Sequence, residues 1–464
     1  MKKIEKFLNS GAYIFLIFSI TFIAWSFYKE TPPHIFNLYN MIGVFLLILM
    51  LGFVFVFYEN TMYSIPIVIS FLFILNKSNM TFETTTDLGF PIIAMSIFLI
   101  SFVIHIIRFK PKFERKTFFL GFLLIAVAYP FAMIYLPFDV NAIAVSLLGA
   151  LFLFLYMFYS NTMKGNLNYL FKIMLFANIT LTLQVFFYIY QGYLLHPELD
   201  IYYRLFQGWG RNLGWANIND MCFYIALTFP SYLYFIFKKP QTYLTWFLMI
   251  LPVTAVILSK SRGGVIGFGV VLIGVILFFV IRGNKKHLTH GLIFLTFSII
   301  VFWINRSIFD IWYEFFLDSL GENLNDFSTG RLEIYKNGWE VFKDHPFFGG
   351  GWLSIQRLYP GERMFMYHQT FIHTLATMGL FGFAALMVHY FQIFKYMFKN
   401  ITFEKYLFII GYIASQVHGL IDNVQFSVPY SVLIVLILAF FETSEKKTSF
   451  TLVNRQYYLI EEDN

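Results

Sequence analysis

Apolar runs close to bilayer thickness follow one another along almost the whole chain. They lie near 11–27, 38–58, 61–76, 89–108, 117–136, 141–160, 168–190, 219–237, 242–259, 263–281, 288–305, 370–393, 404–421 and 425–441. A helix needs ~20 mostly apolar residues to cross the hydrocarbon, so the runs predict an all-α polytopic membrane protein of about 12–14 transmembrane helices. The lower figure applies where neighbouring runs, such as those flanking Tyr58 to Thr61, merge or re-enter. Composition agrees: 58% of residues are hydrophobic and 13% charged, against ~25% charged in soluble domains. One soluble core cannot hide that much apolar surface, which excludes a cytosolic enzyme, a disordered chain and a nucleic-acid-binding domain. The lone cysteine, Cys222, sits in an apolar run and has no intramolecular partner for a disulfide.

The net charge of +7 is concentrated in short clusters between runs. Lys2, Lys3 and Lys6 place the N-terminus in the cytoplasm. The same rule places there the loops with Arg108 to Lys116, Lys164, Lys238 and Lys239, Arg282 to Lys286, Lys395 to Lys405, and the tail with Lys446 and Lys447. This alternation predicts a multi-pass membrane protein with an even number of spans and both termini cytoplasmic. Trp25, Phe27, Tyr28 and Lys29 follow Ala24 without a small-residue cleavage site, so the first run reads as a retained span. Two external loops are long, 191–218 and 306–369. The chain divides into a transmembrane bundle over 1–305, an external loop over 306–369, and transmembrane helices with a cytoplasmic tail over 370–464. Within the external loop, Leu332, Tyr335, Trp339 and Phe342 fall at helical spacing. They predict an amphipathic helix whose apolar stripe lies on the membrane surface or walls a site.

Several chemistries have no motif here. The chain lacks GxxxxGK[ST], HExxH, paired cysteines, Gly-x-Ser-x-Gly and Asp-x-Asp. An enzyme with this sequence is expected to need neither metal nor cofactor and to act on a substrate already in the membrane. Ionisable residues deep within the spans are few (His105 and Lys172 near ends, and His290, His389 and His418), which argues against an ion-coupled transporter. Polar groups gather instead at the external edge. Ser259-Lys260-Ser261-Arg262-Gly263-Gly264 forms a tight outer turn. Arg262 there is either a snorkelling anchor or a functional group heading a closely packed helix with a seam of Gly263, Gly267 and Gly274. Ser328-Thr329-Gly330-Arg331 opens the amphipathic helix, where a cation is unfavourable unless an anion joins it. The bland alternative is a surface pair of Arg331 with Glu333 or Glu322. His368, in Tyr367-His368-Gln369, lies where the chain re-enters the membrane, and His345 and His373 are its rivals as a base.

These segments resemble the O-antigen ligase and Wzy-type polysaccharide polymerase superfamily. The carrying stretches are Thr329-Gly330-Arg331-Leu332-Glu333, His345-Pro346-Phe347-Phe348-Gly349-Gly350-Gly351, His368-Gln369-Thr370-Phe371 and Met378-Gly379-Leu380-Phe381-Gly382. The outer Ser261-Arg262-Gly263 turn matches as well. After its histidine the family commonly has Asn or Ser; this chain has Gln369. The resemblance implies a glycosyltransferase on the outer face of the plasma membrane, with a glycan on a polyprenyl diphosphate as donor and a sugar hydroxyl as acceptor. In that reaction arginines offset the charge growing on the diphosphate, with Arg262 and Arg331 foremost and Arg211 as a third. An imidazole, that of His368, takes the acceptor proton. Direct displacement of this kind inverts the anomeric centre. The partners expected are the lipid-linked donor, the glycan acceptor, membrane lipid and other polysaccharide assembly proteins. Rich Phe, Ile, Lys and Asn usage suggests an AT-rich, monoderm host without lipopolysaccharide, which favours a polymerase of lipid-linked repeat units. The alternatives are a ligase that moves finished glycan to lipid A core or another acceptor, and a flippase for the same lipid.

Overall fold

The computed structural model describes residues 2–26, 38–75, 89–134, 140–195, 197–198, 213–215, 217–238, 243–283, 285–304, 330–357 and 366–444, with isolated positions between 306 and 317. Each of the fourteen apolar runs is mainly helical over its described residues. The first half contains α1 (Lys2–Leu8), α2 (Gly11–Ser26), α3 (Leu38–Phe57), α4 (Ile65–Leu75), α5 (Gly89–Phe109), α6 (Phe119–Phe131), α7 (Val140–Thr162) and α8 (Leu167–Leu195). The run near 219–237 breaks before Pro230 into α9 (Ile218–Thr228) and α10 (Pro230–Lys238), because proline offers no N–H to the preceding turn. Next come α11 (Tyr243–Leu248), α12 (Ile250–Leu258), α13 (Arg262–Arg282) and α14 (Lys285–Ile304). The amphipathic helix is α15 (Arg331–Asp344), followed by α16 (Thr370–Phe398), α17 (Phe403–His418) and α18 (Val428–Thr443).

Among the described residues five helices are long and apolar enough to cross a membrane, or six if the bent α1/α2 pair counts as one span. Shorter apolar helices of 10–17 residues pack beside them. The chain is an all-α polytopic membrane protein.

Side-chain bonds sort the connections into two ends, and the sorting follows the charge alternation. At one end Lys164 N–H donates to Asn60 Oδ1 at 2.9 Å, Glu114 N–H to Asn161 Oδ1 at 3.0 Å, and Lys405 Nζ to the Lys399 carbonyl at 3.0 Å. These are the basic loops. At the other end Gln191 Nε2 donates to the Ser26 carbonyl at 3.1 Å and Trp352 Nε1 to the Tyr129 carbonyl at 3.2 Å. The turns opposite the basic loops and α15 gather there.

Three helices bring that second end together. A Cβ on Gly263 would lie 2.9 Å from the His418 ring, one on Gly267 2.9 Å from the Ala414 carbonyl, and one on Gly274 2.8 Å from Ile410. The glycine seam of α13 therefore packs on the His418/Ala414/Ile410 face of α17. Gly411 of α17 approaches Leu227 of α9 in the same way, with 2.7 Å to its carbonyl oxygen. Small residues allow this in lipid, where close backbone packing rather than water exclusion drives association. The outer ends of α9, α13 and α17 meet as a result.

The amphipathic helix packs by a face that the aromatic spacing does not mark. Its packed face is Ile334, Gly338 and Val341, while Leu332 and Trp339 are 38% and 45% exposed. Gly338 decides this: a Cβ there would meet Ile372 at 2.6 Å and Tyr367 at 2.7 Å, so only a bare backbone lets α15 settle on α16. The predicted stripe splits: Leu332 and Trp339 face outward, as suits a helix against an interface, while Tyr335 and Phe342 are half-buried.

Candidate active site

The connection between α17 and α18 carries Asp422, which is buried. His368 Nδ1 lies 3.2 Å from Asp422 Oδ1, and Asn423 N–H donates to the same oxygen at 2.8 Å. Asn219 Nδ2 donates to Asp422 Oδ2 at 2.5 Å. Arg331 Nη2 stands 3.9 Å from Oδ2, and Nη1 of the same guanidinium donates to the Ile421 carbonyl. Burial works to raise the Asp422 carboxyl, but the bond from His368, the charges of His368 and Arg331 and the Asn423 N–H hold it down at about 2. It stays ionised wherever the protein works.

His368 is set from both sides. Its φ of 49° is in the left-handed region, an uncommon place for a residue with a side chain. The Tyr335 hydroxyl donates to its carbonyl at 3.0 Å, and burial raises that phenol, which remains a neutral donor. Gln369, the departure from the family's usual Asn or Ser, is the N-cap of α16; its Oε1 accepts from Ile372 N–H at 2.5 Å. An amide oxygen here does the job a shorter polar side chain does in other caps. With Nδ1–H donated to Asp422, Nε2 is the basic nitrogen of the ring.

Arg262 and Arg331 each open a helix. Ser261 caps α13, its Oγ accepting from Gly264 N–H at 3.0 Å, and Arg262 follows it as the first helical residue. Arg331 is the first residue of α15. The two guanidiniums stand within electrostatic reach of each other. Two helix N-termini and two fixed cations thus converge, an arrangement that favours an anion of more than one charge. The surface pair of Arg331 with Glu333 gives way to Asp422 and the Ile421 carbonyl as its partners; Glu322 lies outside the described residues. So does Arg211, along with Ser328 and Thr329. Lys260, in the same turn as Arg262, has φ 57°, and burial lowers its ammonium to about 8.

The glycine-rich turn after His345-Pro346 plays a part other than chemistry. Gly350 and Gly351 N–H donate to the Ala376 and Thr377 carbonyls at 2.7 and 3.1 Å. In return Leu380 and Phe381 N–H donate to the Pro346 and Phe347 carbonyls at 2.8 and 3.1 Å. The helix is broken there: Gly379 has φ 63° and Gly349 φ 72°. A Cβ on Gly349 would lie 2.3 Å from Thr377 carbonyl carbon, and one on Gly379 2.5 Å from Phe347 backbone. Two motifs distant in sequence are one backbone splice, which fixes α15, and with it Arg331, against the helix that His368 leads into.

The rival histidines stand apart. His345 ends α15 as its C-cap. His373 is buried within α16 and packs on Phe426 with ring centroids 4.4 Å apart. Neither is bonded to Asp422 in the way His368 is. Sequence reading missed Asp422 and Asn219, and named Tyr335 only within the aromatic stripe. For Asp422 a signal existed: a carboxylate in the short external turn between the last two spans, where a charge is expensive without a task.

Residues 247–387 match the family described as O-antigen ligase. Over that stretch the chain is similar to the O-antigen ligase family. The match includes Arg262, Arg331 and His368 and stops before Asp422. No curated protein matches the chain. The match supports glycan transfer of the O-antigen ligase or polymerase type in general terms.

Proposed function

We propose that the chain polymerises lipid-linked repeat units of a surface polysaccharide on the outer face of the plasma membrane. The observation that carries this reading is the His368–Asp422 contact of 3.2 Å beside Arg331, at the end of the bundle opposite the basic loops. The positive-inside rule puts the basic end in the cytoplasm and the cluster outside. His368 Nε2 takes the proton of the acceptor hydroxyl as its oxygen attacks the anomeric carbon of the donor. The bond from that carbon to the phosphate oxygen breaks, and its electron pair leaves on the polyprenyl diphosphate. Asp422 holds the ring in the tautomer that can accept, and stabilises the imidazolium that forms. Arg262 and Arg331 meet the charge that grows on the diphosphate, in the role a divalent ion takes elsewhere. Attack from the face opposite the leaving group inverts the anomeric centre.

Purified protein in liposomes, given lipid-linked repeat units, tests this. A ladder of longer lipid-linked glycans, formed equally well in EDTA, is the expected product. Transfer to a lipid A core without a ladder would make the protein a ligase, and loss of turnover on chelation would overturn the arginine role.

A further inference from the structure

Asn219 bridges two parts of the site that mechanism alone does not connect. It sits in the first turn of α9, its N–H held by the cap residue Asn217 at 3.0 Å. At one end of its carboxamide, Nδ2 donates to Asp422 Oδ2 at 2.5 Å. At the other, Oδ1 accepts from Ser261 Oγ at 2.5 Å. Ser261 is in turn the cap of the helix that begins with Arg262, accepting from Gly264 N–H at 3.0 Å. The directions are forced. A carboxylate only accepts, so Asn219 must present its amide nitrogen to Asp422, and its oxygen is left for the Ser261 hydroxyl. One polarised chain runs Gly264 N–H, Ser261 O–H, Asn219 amide, Asp422 carboxylate, and His368 Nδ1–H donates into the same carboxylate from the other side.

We propose that Asn219 is a positioning residue that ties the carboxylate of the base to the cap of the diphosphate-binding helix, so that donor capture at Arg262 and acceptor activation at His368 share one geometry. This rests on the function proposed above and adds a coupling between its two halves. A carboxamide suits the position because it donates at one end and accepts at the other. A carboxylate would set oxygen against oxygen in a place that already holds Asp422, with Asp220 close enough to be felt.

The test compares Asn219→Ala, Asn219→Asp, Ser261→Ala and the Asn219→Ala/Ser261→Ala pair, all as the full chain in liposomes. Readouts are turnover on lipid-linked repeat units, affinity for undecaprenyl diphosphate, and thermal midpoint. Asn219→Ala should lower kcat about 10- to 100-fold, with undecaprenyl diphosphate affinity within about twofold and the fold intact. The double variant should be little worse than the worse single one, because both break the same chain. Asn219→Asp should be nearly inactive at pH 8 and partly recover toward pH 6, as its carboxyl takes up a proton and can donate to Asp422. The charged groups around that carboxyl are Asp422, Asp220, His368, His418, Arg331 and Arg262. Wild-type kcat in Asn219→Ala, multiplying effects in the pair, or equal loss of affinity and thermal midpoint would each overturn the role. His368→Ala in the same assay keeps the failures apart. If it is inactive while Asn219→Ala is wild type, the Asn219 role falls and the function stands; if it turns over, the function itself falls.

Discussion

Two carboxylates stand at opposite ends of the bundle, and their surroundings differ in kind. Glu442, at the basic end, accepts from Thr117 N–H at 2.5 Å and from the Tyr156 hydroxyl, which itself receives Phe118 N–H at 3.0 Å. It reaches across 325 residues to cap the start of α6, and Gln392 completes the job by accepting from Gly121 N–H at 2.7 Å. Every one of these donors is neutral, and none exchanges a proton at working pH. Asp422, at the other end, is bound by an imidazole, a carboxamide and a guanidinium. Its side chain is 11% exposed, while those of His368 and Arg331 are 30% and 20% exposed. The carboxylate is shielded and its partners face outward. A carboxylate at a membrane edge is a structural cap when backbone and hydroxyl groups satisfy it. It serves chemistry when its partners can themselves carry a proton or grip an anion.

The largest effect that can break this comparison is at His368. His368→Ala should lower turnover ~10²- to 10⁴-fold in the liposome assay while undecaprenyl diphosphate still binds. His345→Ala is the proper control and should keep most activity. His373→Ala is a poorer control than sequence alone suggests, because it empties a buried position against Phe426 and is expected to lower the thermal midpoint.

Next in size is the contrast between the carboxylates themselves. Asp422→Asn should cut kcat about 100-fold or more, since the amide no longer holds the ring in the accepting tautomer. Glu442→Gln should leave kcat within about twofold but destabilise by ~1–3 kcal/mol, read as a lower thermal midpoint. Equal kinetic effects from the two would erase the distinction. Acid should separate them too. The Asp422 carboxyl is held at about 2, below the ~3.9 of an unfolded aspartate, so its contribution to stability is complete above pH ~4 and is lost as pH falls toward 2. Its removal in Asp422→Asn should therefore flatten the acid limb of a stability profile below pH 4.

The arginines come third. Arg331→Ala and Arg262→Ala should each weaken undecaprenyl diphosphate binding about 10-fold or more, with Arg→Lys restoring part of it because lysine lacks the planar fork. The smallest expected effect is at Lys260. Its ammonium, lowered to about 8 by burial, loses charge beside Arg262 as pH rises past that value. Diphosphate affinity should slip about twofold between pH 7 and 9, and Lys260→Met should remove that slope. An unchanged slope in Lys260→Met would take the residue out of the anion site.

How much of this was legible in the sequence depends on how local each signal is. Helix positions were, because ~20 apolar residues in a row state their own requirement. His368, Arg262 and Arg331 stood out as polar groups where external turns meet the bundle. Asn219 did not, because its meaning arises only when α9 and α17 pack, across 203 residues of chain; Asp422 signalled only as a charge in a short turn between apolar runs. The aromatic spacing of α15 marked its outward side chains and Tyr335 but not the face that packs, since periodicity records apolar side chains and Gly338 acts by having none. The glycine turn after Pro346 carried a family likeness whose physical cause, a backbone splice with residues 376–381, is visible only in the fold.

The central claim is that His368 and Asp422 act as one unit, and a double-mutant cycle tests it most directly. Turnover of lipid-linked repeat units would be measured for His368→Ala, Asp422→Asn and the pair, each in liposomes and each checked for undecaprenyl diphosphate binding. With the base gone, the carboxylate has nothing left to orient, so the pair should be no slower than His368→Ala alone, within about twofold. If the two losses multiply instead, Asp422 serves something other than His368, and the base–carboxylate account of this site is contradicted.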